Sequence, residues 1–301
     1  RLIARRRAPI AREIYGRIGG RSPLFEETRH QADALEAALS RDGVEAKAFV
    51  AMRYWHPFSD GAARAVKAFN PDKIVLLPLY PQYSTTTTGS SLKDWARSAK
   101  KAGLTAPTSR ICCYPAENGF VAAATAHIRK VMEGARSDIS YRLLLSAHGL
   151  PKRVIQKGDP YQWQVEQSAA AIVKALAMEN MEAVVCYQSR VGPLEWIGPA
   201  TDAEIRRAAK DGKGVIIAPI AFVSEHSETL VELDIEYRHL AEEAGVPDYR
   251  RAATVGVHPD FIAGLADLVR RGLEMQTVVG CAEGRICPAA HKACGFAWGT
   301  P

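Results

Sequence analysis

Apolar runs alternate with segments of helical periodicity along most of the chain. The apolar runs predict strands, and the segments in which apolar residues recur every three or four positions predict helices. This alternation indicates the α/β class, with parallel sheets covered by helices. The predicted strands span residues 45–54, 73–80, 109–114, 141–147, 183–189, 214–222 and 252–257. The predicted helices span residues 25–40, 59–68, 118–134, 162–179, 202–210, 227–242 and 260–274.

A break at residues 134–139 separates three predicted strands from the four that follow. This grouping favours two similar doubly wound lobes with a ligand cleft between them. We expect an amino-terminal lobe over 1–134, a carboxyl-terminal lobe over 135–258, and a closing helix with a cysteine-containing tail over 259–301. The tail is rich in turn-forming residues, so we expect it to need a ligand or the body of the protein to order it.

Composition fits a soluble globular enzyme. The chain has 301 residues, of which 47% are hydrophobic and 24% charged, and this balance excludes a disordered protein. No stretch approaches the roughly 20 apolar residues of a spanning helix, and no signal peptide is recognisable. We therefore expect a cytoplasmic protein. The first residue is not Met, so we expect the natural chain to start earlier.

Positive charge is concentrated at the amino end and contributes to the net charge of +6. A basic run beside apolar residues suits an anionic membrane face or RNA, although a solvated helix face is the commoner case. We keep peripheral membrane contact as one interpretation and expect no nucleic-acid partner. The arginines concerned are Arg1, Arg5, Arg6, Arg7 and Arg12.

Two histidines follow predicted strands of the second lobe. His148 comes directly after the 141–147 run, and His226 follows the 214–222 run with Glu228 two residues on. Ligands of open α/β sheets bind beyond the carboxyl ends of the strands, so these side chains are expected to meet in one crevice. One or two imidazoles with a carboxylate suit Fe(II) or Zn(II) and leave coordination positions open. The alternative for His148 is a histidine that only hydrogen-bonds its turn.

Glu228, Glu232 and Glu236 are spaced by four residues and predict one acidic row on a helix. Like charges at this spacing repel by a few tenths of a kcal/mol, which solvent screens easily. A water-exposed face is therefore the default interpretation for Glu236 and also suits Glu232. For Glu228, beside His226, we favour a function, because a bound cation or a raised pKa would offset the repulsion.

Aromatic residues and arginines gather at predicted strand ends. Rings at strand ends suit a flat apolar ligand, and Arg53 and Arg190 could pair with carboxylates at its edges. The hydroxyl-rich stretch 84–91 resembles a phosphate site but lacks a Gly-x-x-x-x-Gly-Lys pattern, so the case for a nucleotide is weak. The rings concerned are Tyr54, Tyr80, Trp196 and Phe222.

Six cysteines in a chain of this length do not predict a secreted disulfide framework. In a reducing compartment grouped thiols more often hold a metal than pair with each other. Cys186 lies inside a predicted strand and is expected in the core. The others are Cys112, Cys113, Cys281, Cys287 and Cys294.

Taken together, these segments resemble the ferrochelatase family over nearly the whole chain. The resemblance rests on residues 146–151 with 158–161, on 188–193 with Trp196, on 219–237, and on shorter matches at 18–20, 53–54, 80–84 and 89–91. It implies two Rossmann-like lobes of the chelatase type, and an enzyme of the lyase class that inserts Fe(II) into protoporphyrin IX at the end of haem biosynthesis. By the same resemblance His148 and Glu228 are the pair assigned to iron.

The resemblance also implies roles for other residues. His226 with Glu232 and Glu236 would form an acidic path for metal or protons. His148 is our candidate for the base that accepts pyrrole protons, with Glu228 delivering the metal. The pocket positions are matched by Tyr15, Arg53, Tyr54, Tyr80, Trp196 and Phe222.

Two departures from the family pattern concern the amino end and the cysteines. Members usually begin with a further strand and a Gly-Gly-Pro loop ahead of a segment like residues 1–9, and this sequence has neither, so the first lobe is expected to be incomplete at its start. Some members hold a [2Fe-2S] cluster, and the tail set resembles its ligands. The animal enzymes take the fourth thiolate from a loop cysteine, and this chain has Thr85 at that position. One of Cys112 and Cys113 would therefore have to serve as the fourth ligand. The tail set is Cys281, Cys287 and Cys294.

Several alternatives stay open at this point. The tail thiols suit a zinc knot or free thiols as well as a cluster, because their spacing is looser than Cys-x-x-Cys. The same fold serves chelatases for coproporphyrin or sirohydrochlorin. A non-catalytic porphyrin or haem carrier is the rival of another class, and a metal-knotted interaction protein is a third.

Overall fold

The apolar runs form two separate parallel sheets in the computed structural model. The structure describes residues 13–178, 181–275, 278–280, 282 and 284–297. Helices lie between successive strands, as the alternation of patterns predicts. The α/β class is therefore confirmed.

The first sheet has three strands in the order β1, β2, β7. Two of them were predicted, whereas β7 comes from the tail and pairs with β2 through Arg110 opposite Val278. A strand of only two residues gives no readable period in the sequence, which is why it was missed. The strands are β1 (Ile74–Leu76), β2 (Thr108–Ile111) and β7 (Val278–Val279). The helices before the second sheet are α1 (Leu24–Arg41), α2 (Ser59–Phe69), α3 (Thr88–Ala102) and α4 (Asn118–Glu133).

The second sheet has four strands in the order β4, β3, β5, β6. Its central strands are buried on both faces, which is why they appear in the sequence as unbroken apolar runs. The strands are β3 (Tyr141–His148), β4 (Glu182–Gln188), β5 (Gly214–Pro219) and β6 (Tyr249–Arg251). The helices are α5 (Lys152–Gln156), α6 (Tyr161–Leu176), α7 (Thr201–Lys210), α8 (Ser227–Leu230), α9 (Tyr237–Ala244) and α10 (Pro259–Glu274), with a π-helix at Glu232–Glu236 between α8 and α9 and a 3-10 turn at Gly295–Ala297.

Helix α10 returns to the first sheet, packing against α4, α1 and β2. Two glycines allow α4 and α10 to approach closely. A Cβ at Gly119 would lie 2.1 Å from the Asp260 carbonyl oxygen, and one at Gly264 would lie 2.3 Å from the Glu117 carboxylate. That carboxylate caps α4 by accepting from Gly119 N and Phe120 N. The helix–helix contact therefore depends on side chains being absent at these two positions.

Two strand predictions were wrong. Residues 45–51 form no ladder with any described strand, and only an isolated bridge joins Met52 to Phe58. The Ala48 amide donates instead to the Glu36 carboxylate. The last strand is β6, not 252–257, because Tyr249 provides the buried anchor there and its hydroxyl donates to the Leu233 carbonyl.

No helix in the described ranges is long and apolar enough to cross a membrane. This finding agrees with the absence of a long apolar run in the sequence.

A group of ion pairs lies at the amino ends of the strands of the second sheet, whereas the histidines lie at the carboxyl ends. Arg142 is 1% exposed and donates to Glu182 at 2.7 Å and to Asp211 at 2.6 Å. Glu182 also accepts from Lys213 and pairs with Arg207. Hydrogen bonds from Arg142 and Lys213 lower the pKa of Glu182 from 4.5 to about 2, against the opposing effect of burial.

We expect this ion group to make the fold acid-sensitive. A carboxylate whose pKa is lowered in the folded state contributes stability above its unfolded value, and that contribution is lost as pH falls through the folded value. The urea midpoint should therefore fall between about pH 5 and pH 2, and Glu182→Gln should flatten that part of the curve. Glu195→Gln is the control, because Glu195 is exposed and pairs only with Lys152 among the described residues. If the urea midpoint of Glu182→Gln depended on pH as that of the wild type does, ionised Glu182 would not be a source of the acid sensitivity.

Candidate functional site

His148 is the last residue of β3, and one hydrogen bond sets the orientation of its ring. Nδ1 lies 2.7 Å from the Gly149 carbonyl oxygen, which can only accept, so Nδ1 carries the proton. The other ring nitrogen, Nε2, therefore presents its lone pair to the crevice. The main-chain oxygen of His148 accepts from the Tyr161 hydroxyl at 3.0 Å, which ties the strand end to α6.

Glu228 faces His148 from the first turn of α8. Glu228 Oε2 lies 3.7 Å from His148 Nε2 and 3.8 Å from His226 Nε2. His226 Nδ1 lies 3.1 Å from the Ser224 carbonyl oxygen, so this ring too presents Nε2 to the carboxylate. The structure thus brings together all three residues that the sequence predicts at the centre of the site.

The ionisation of Glu228 reflects opposing influences. Burial raises its pKa, but interaction with the imidazoles of His226 and His148 outweighs burial, so the net shift is downward. The carboxylate stays partly open, with 36% of its side chain exposed. An ionised oxygen that faces two imidazole nitrogens can receive a cation or relay a proton.

Phe222 packs beside the two histidines, and Tyr80 lies within electrostatic reach of Glu228, Tyr54 and Arg53. The Phe222 ring centroid lies 4.7 Å from that of His226 and 6.5 Å from that of His148. Burial, then the nearby Tyr54 and Glu228, raise the pKa of Tyr80. Arg53 stacks 4.9 Å over the Tyr54 ring, and its Nε donates to Ser90.

Trp196 lies beside Gly149, the residue that follows His148. Its ring would lie 3.4 Å from a Cβ at Gly149, and the backbone oxygen of Gln188 would lie 2.9 Å from the same atom. A cavity of about 440 Å³ adjoins Trp196. Its lining is Lys152, Ile155, Gln156, Gln162, Trp196, Ile197 and Gly198.

Two predicted pocket residues make no side-chain contact with this centre among those that the structure describes. Tyr15 lies half-buried in a helical turn near the start of the described chain. Arg190 packs its Cγ near Gly149 but extends its guanidinium to Asp202, at 3.3 Å. The geometry therefore leaves the role of Tyr15 as a prediction.

The acidic row is interrupted by the π-helix. Glu232 accepts from Gln188, from the amide and hydroxyl of Ser189, and from Tyr237, so it is held in place rather than solvated. The Glu236 amide donates to Val231, five residues back, which breaks the regular spacing. Glu236 is half-exposed and lies 3.7 Å from Arg17. The default of a water-exposed face therefore holds for Glu236 and is wrong for Glu232.

The hydroxyl-rich stretch 84–91 is held by Asp159. Oδ2 of Asp159 accepts from the Ser84 hydroxyl and from both the amide and the hydroxyl of Thr85, at 2.7 to 3.0 Å. Donors that would suit a phosphate are thus already paired within the chain. This arrangement removes the support for a nucleotide site.

Four of the predicted cluster cysteines meet in a second, separate place. Cys112, Cys113, Cys287 and Cys294 are all buried, and we call them the thiol group. Cys112 hydrogen-bonds Cys113 and Cys294, and Cys294 hydrogen-bonds Cys287. Cys281 lies outside the described residues. Within the part of the chain that the structure describes, no set of three or more His, Cys, Asp and Glu side chains has the arrangement of a metal site.

Ionisation within the thiol group is uneven. Hydrogen bonds from Cys112 and Cys287 hold the pKa of Cys294 well below its usual value. The hydrogen bond with Cys113, then the one to Cys294 and burial, raise the pKa of Cys112, and the hydrogen bond to Cys294 together with burial raises that of Cys287. The first thiolate to form is therefore the one that accepts from two neighbours. Cys186 lies apart in the core, where burial raises its pKa to about 12.

Several positioning residues were not predicted from the sequence. Gln188 donates to the Glu228 carbonyl and to the Glu232 carboxylate, and Gln164 contacts the thiol group. Asp159 and Tyr161 belong to the 158–161 segment that carries part of the family resemblance, so a signal existed for them. Gln188 opens the 188–193 segment, which also carries part of the resemblance, whereas Gln164 lies in no such segment and gave no signal.

Comparison with known proteins gives close relatives over the whole chain. The family model described as Ferrochelatase matches residues 1–273. A protein named Ferrochelatase from Caulobacter vibrioides (strain NA1000 / CB15N) is 54% identical over 299 residues, which cover 99% of this chain and 83% of that protein. Ferrochelatase from Hyphomonas neptunium is 50% identical, covering 98% and 82%, and that from Pelagibacter ubique is 44% identical, covering 98% and 86%.

Among solved structures the likeness concerns the fold. SirB from Bacillus subtilis with Fe3+ superposes with a TM-score of 0.56 at 17% identity, covering 81% of this chain and 88% of that one. CbiX, described as the terminal enzyme for biosynthesis of sirohaem in denitrifying bacteria, gives a TM-score of 0.52 at 17% identity, covering 83% and 93%. The fold is thus that of the chelatases, as the resemblance implied.

We expect Gly149→Ala to disturb the strand end that carries His148. The new methyl would press on the Gln188 backbone oxygen, which cannot swing away as a side chain can, and overpacking of this kind costs about 1–3 kcal/mol. Urea unfolding measures the loss. Gly61→Ala is the control, because a Cβ at Gly61 meets nothing within 4 Å. If both variants were as stable as the wild type, the close packing around Gly149 would be wrong.

Proposed function

The chain belongs to the ferrochelatase family, metal chelatases of the lyase class that insert Fe(II) into protoporphyrin IX in haem synthesis, and from that premise we propose roles for His148, His226 and Glu228. The observation that carries the proposal is the approach of two imidazole nitrogens to one carboxylate oxygen, at 3.7 and 3.8 Å. All three groups lie at the carboxyl edge of a parallel sheet, where α/β folds bind their ligands.

His148 is the base in this proposal. Insertion of Fe(II) releases two pyrrole protons, and Nε2 of His148 is free to accept one because Nδ1 is committed to the Gly149 carbonyl. The Tyr161 hydroxyl fixes the main chain at the same residue. These contacts support an imidazole ring that is held in one orientation for proton transfer.

Glu228 and His226 are the companion pair, which holds the incoming metal and passes on protons. Glu228 is ionised and partly open, and His226 Nε2 lies 3.8 Å from the same oxygen that His148 approaches. Ionised oxygen with imidazole nitrogen is a ligand set suited to Fe(II), and it leaves positions open for release to the porphyrin. Glu232, held by Gln188 and Ser189, positions this segment and does not move metal.

The aromatic lining supplies the porphyrin surface. We assign Phe222, Tyr80 and Trp196 to the faces of the macrocycle and Arg53 to a propionate, because rings suit a flat apolar ligand and a guanidinium pairs with carboxylate. The Tyr54 ring stacks against Arg53. The pocket role of Tyr15 stays a prediction from the sequence. Membrane contact through residues 1–12 stays a prediction from the sequence, since that segment lies outside the described residues.

Replacing His148 or Glu228 should lower the insertion rate, whereas replacing an exposed carboxylate should not. We expect His148→Ala and Glu228→Ala each to lower the rate of Fe(II) or Zn(II) insertion into protoporphyrin by about 10²-fold or more, as loss of a positioned acid or base does. Porphyrin fluorescence measures the rate, with porphyrin binding measured in parallel. Glu243→Ala is the matched control and should keep its rate, because Glu243 is an exposed carboxylate of α9 that pairs with His239. Equal rates in all four proteins would reject the assignment.

The thiol group is our proposed site for a [2Fe-2S] cluster. Its ligands would be Cys281, Cys287 and Cys294 from the tail with one of Cys112 and Cys113 from the body. The donor chemistry fits such a group, because four described thiols are buried together and one of them already favours the thiolate. When bound, the cluster supplies one-electron redox chemistry, and the steps assigned to His148 and Glu228 do not involve it.

Thiol replacement tests the cluster. Cys294→Ser should remove the visible absorption and the acid-labile sulfide of protein purified without oxygen, because Cys294 contacts two other members of the thiol group. Cys186→Ser is the matched control and should keep both, since Cys186 is buried elsewhere in the core. Bound zinc without sulfide would indicate a zinc knot, and absence of both would indicate free thiols; either result would contradict the cluster.

A further inference from the structure

Gln164 is a fully buried amide on α6 whose two ends are fixed by different partners. Its Oε1 accepts from the Tyr83 amide at 2.7 Å. A backbone N–H can only donate, so this contact identifies the oxygen end of the amide. The NH2 end therefore faces the thiol group, where Nε2 lies 3.3 Å from Cys113 Sγ and 3.0 Å from Cys287 Sγ.

Two features make this contact more than ordinary core packing. A neutral thiol is a weak acceptor, so a buried NH2 that faces only sulfur is well satisfied when those sulfurs carry negative charge. The two sulfurs also come from distant parts of the chain. Cys113 follows β2 in the body, and Cys287 belongs to the tail, so one side chain joins the two.

We propose that Gln164 is a positioning residue of the iron–sulfur site, which donates to the thiolates of Cys113 and Cys287 and selects Cys113 over Cys112 as the body ligand. The inference rests on the proposed cluster. Cys112 contacts Cys113 and Cys294 but has no hydrogen bond from Gln164 among those the structure describes. Hydrogen bonds to cluster sulfurs stabilise the more negative, reduced form, so Gln164 raises the reduction potential of the cluster.

Two substitutions separate the donor role from simple packing. In Gln164→Glu the ionised side chain keeps an acceptor for the Tyr83 amide but loses the two N–H donors. In Gln164→Leu the acceptor and the donors are all lost. We expect each variant to show a reduction potential more negative than that of the wild type, and faster loss of the cluster to a chelator. The potential is measured by dithionite titration followed by visible absorption. Gln167→Glu, half-buried on the same helix, is the matched control and should leave the potential unchanged.

The choice of body ligand is tested independently of whether the Gln164 variants fold. Cys113→Ser should lose the cluster as Cys294→Ser does, whereas Cys112→Ser should retain it. An unchanged potential in both Gln164 variants, or loss of the cluster in Cys112→Ser but not in Cys113→Ser, would overturn this inference and leave the proposed cluster intact. A wild-type protein without iron and sulfide would overturn the cluster and this inference together.

Discussion

The parallel pairing of β3 with β5 is the constraint on which the candidate site depends. The register sets Ser146 opposite Pro219, and the Ile220 amide continues the ladder by donating to the Ser146 carbonyl. Both strands consequently end at the same edge of the sheet. His148 is two residues beyond Ser146, and the chain leaving β5 reaches Glu228 within ten residues of that ladder bond, so the histidine and the carboxylate meet without any long-range adjustment.

A buried polar network converts this alignment into fixed geometry. The Ser146 hydroxyl donates to Gln188, and Gln188 donates in turn to the Glu228 carbonyl and the Glu232 carboxylate. The first link joins the ends of the neighbouring strands β3 and β4, and the others join the end of β4 to the helical segments that follow β5. Such a network rigidifies its members when each group is satisfied. The π-helix belongs to the same arrangement, because it lets Glu232 turn back to Ser189 while Glu236 points towards Arg17 and solvent.

The sequence predicted the parts of the molecule in which burial leaves a mark on the pattern of residues. The strands β3, β4 and β5 are long and their central residues apolar. His148 ends β3, and Glu228 lies in the helix that follows β5. Prediction failed where tertiary contacts decide. The segment 45–51 alternates like a strand yet has no ladder partner among the described strands, and the anchor of β6 is a tyrosine hydroxyl bonded to a distant carbonyl. Gln164 could not be found, since nothing in the sequence separates a buried glutamine from a solvated one, whereas Gln188 belongs to the 188–193 segment that carries part of the resemblance.

The thiol group depends on the fold in a different way, because no single element contains it. The tail reaches the body through Ala293, whose amide donates to Gly158, a residue with a φ of +88° that a side chain would strain. It passes Tyr83 so closely that a Cβ at Gly295 would lie 2.3 Å from that ring. The tail is therefore held against residues of both lobes, and this docking places its thiols beside those that follow β2. Any ligand that binds all of them draws its affinity partly from that docking, and in return it stabilises the joint between tail and body.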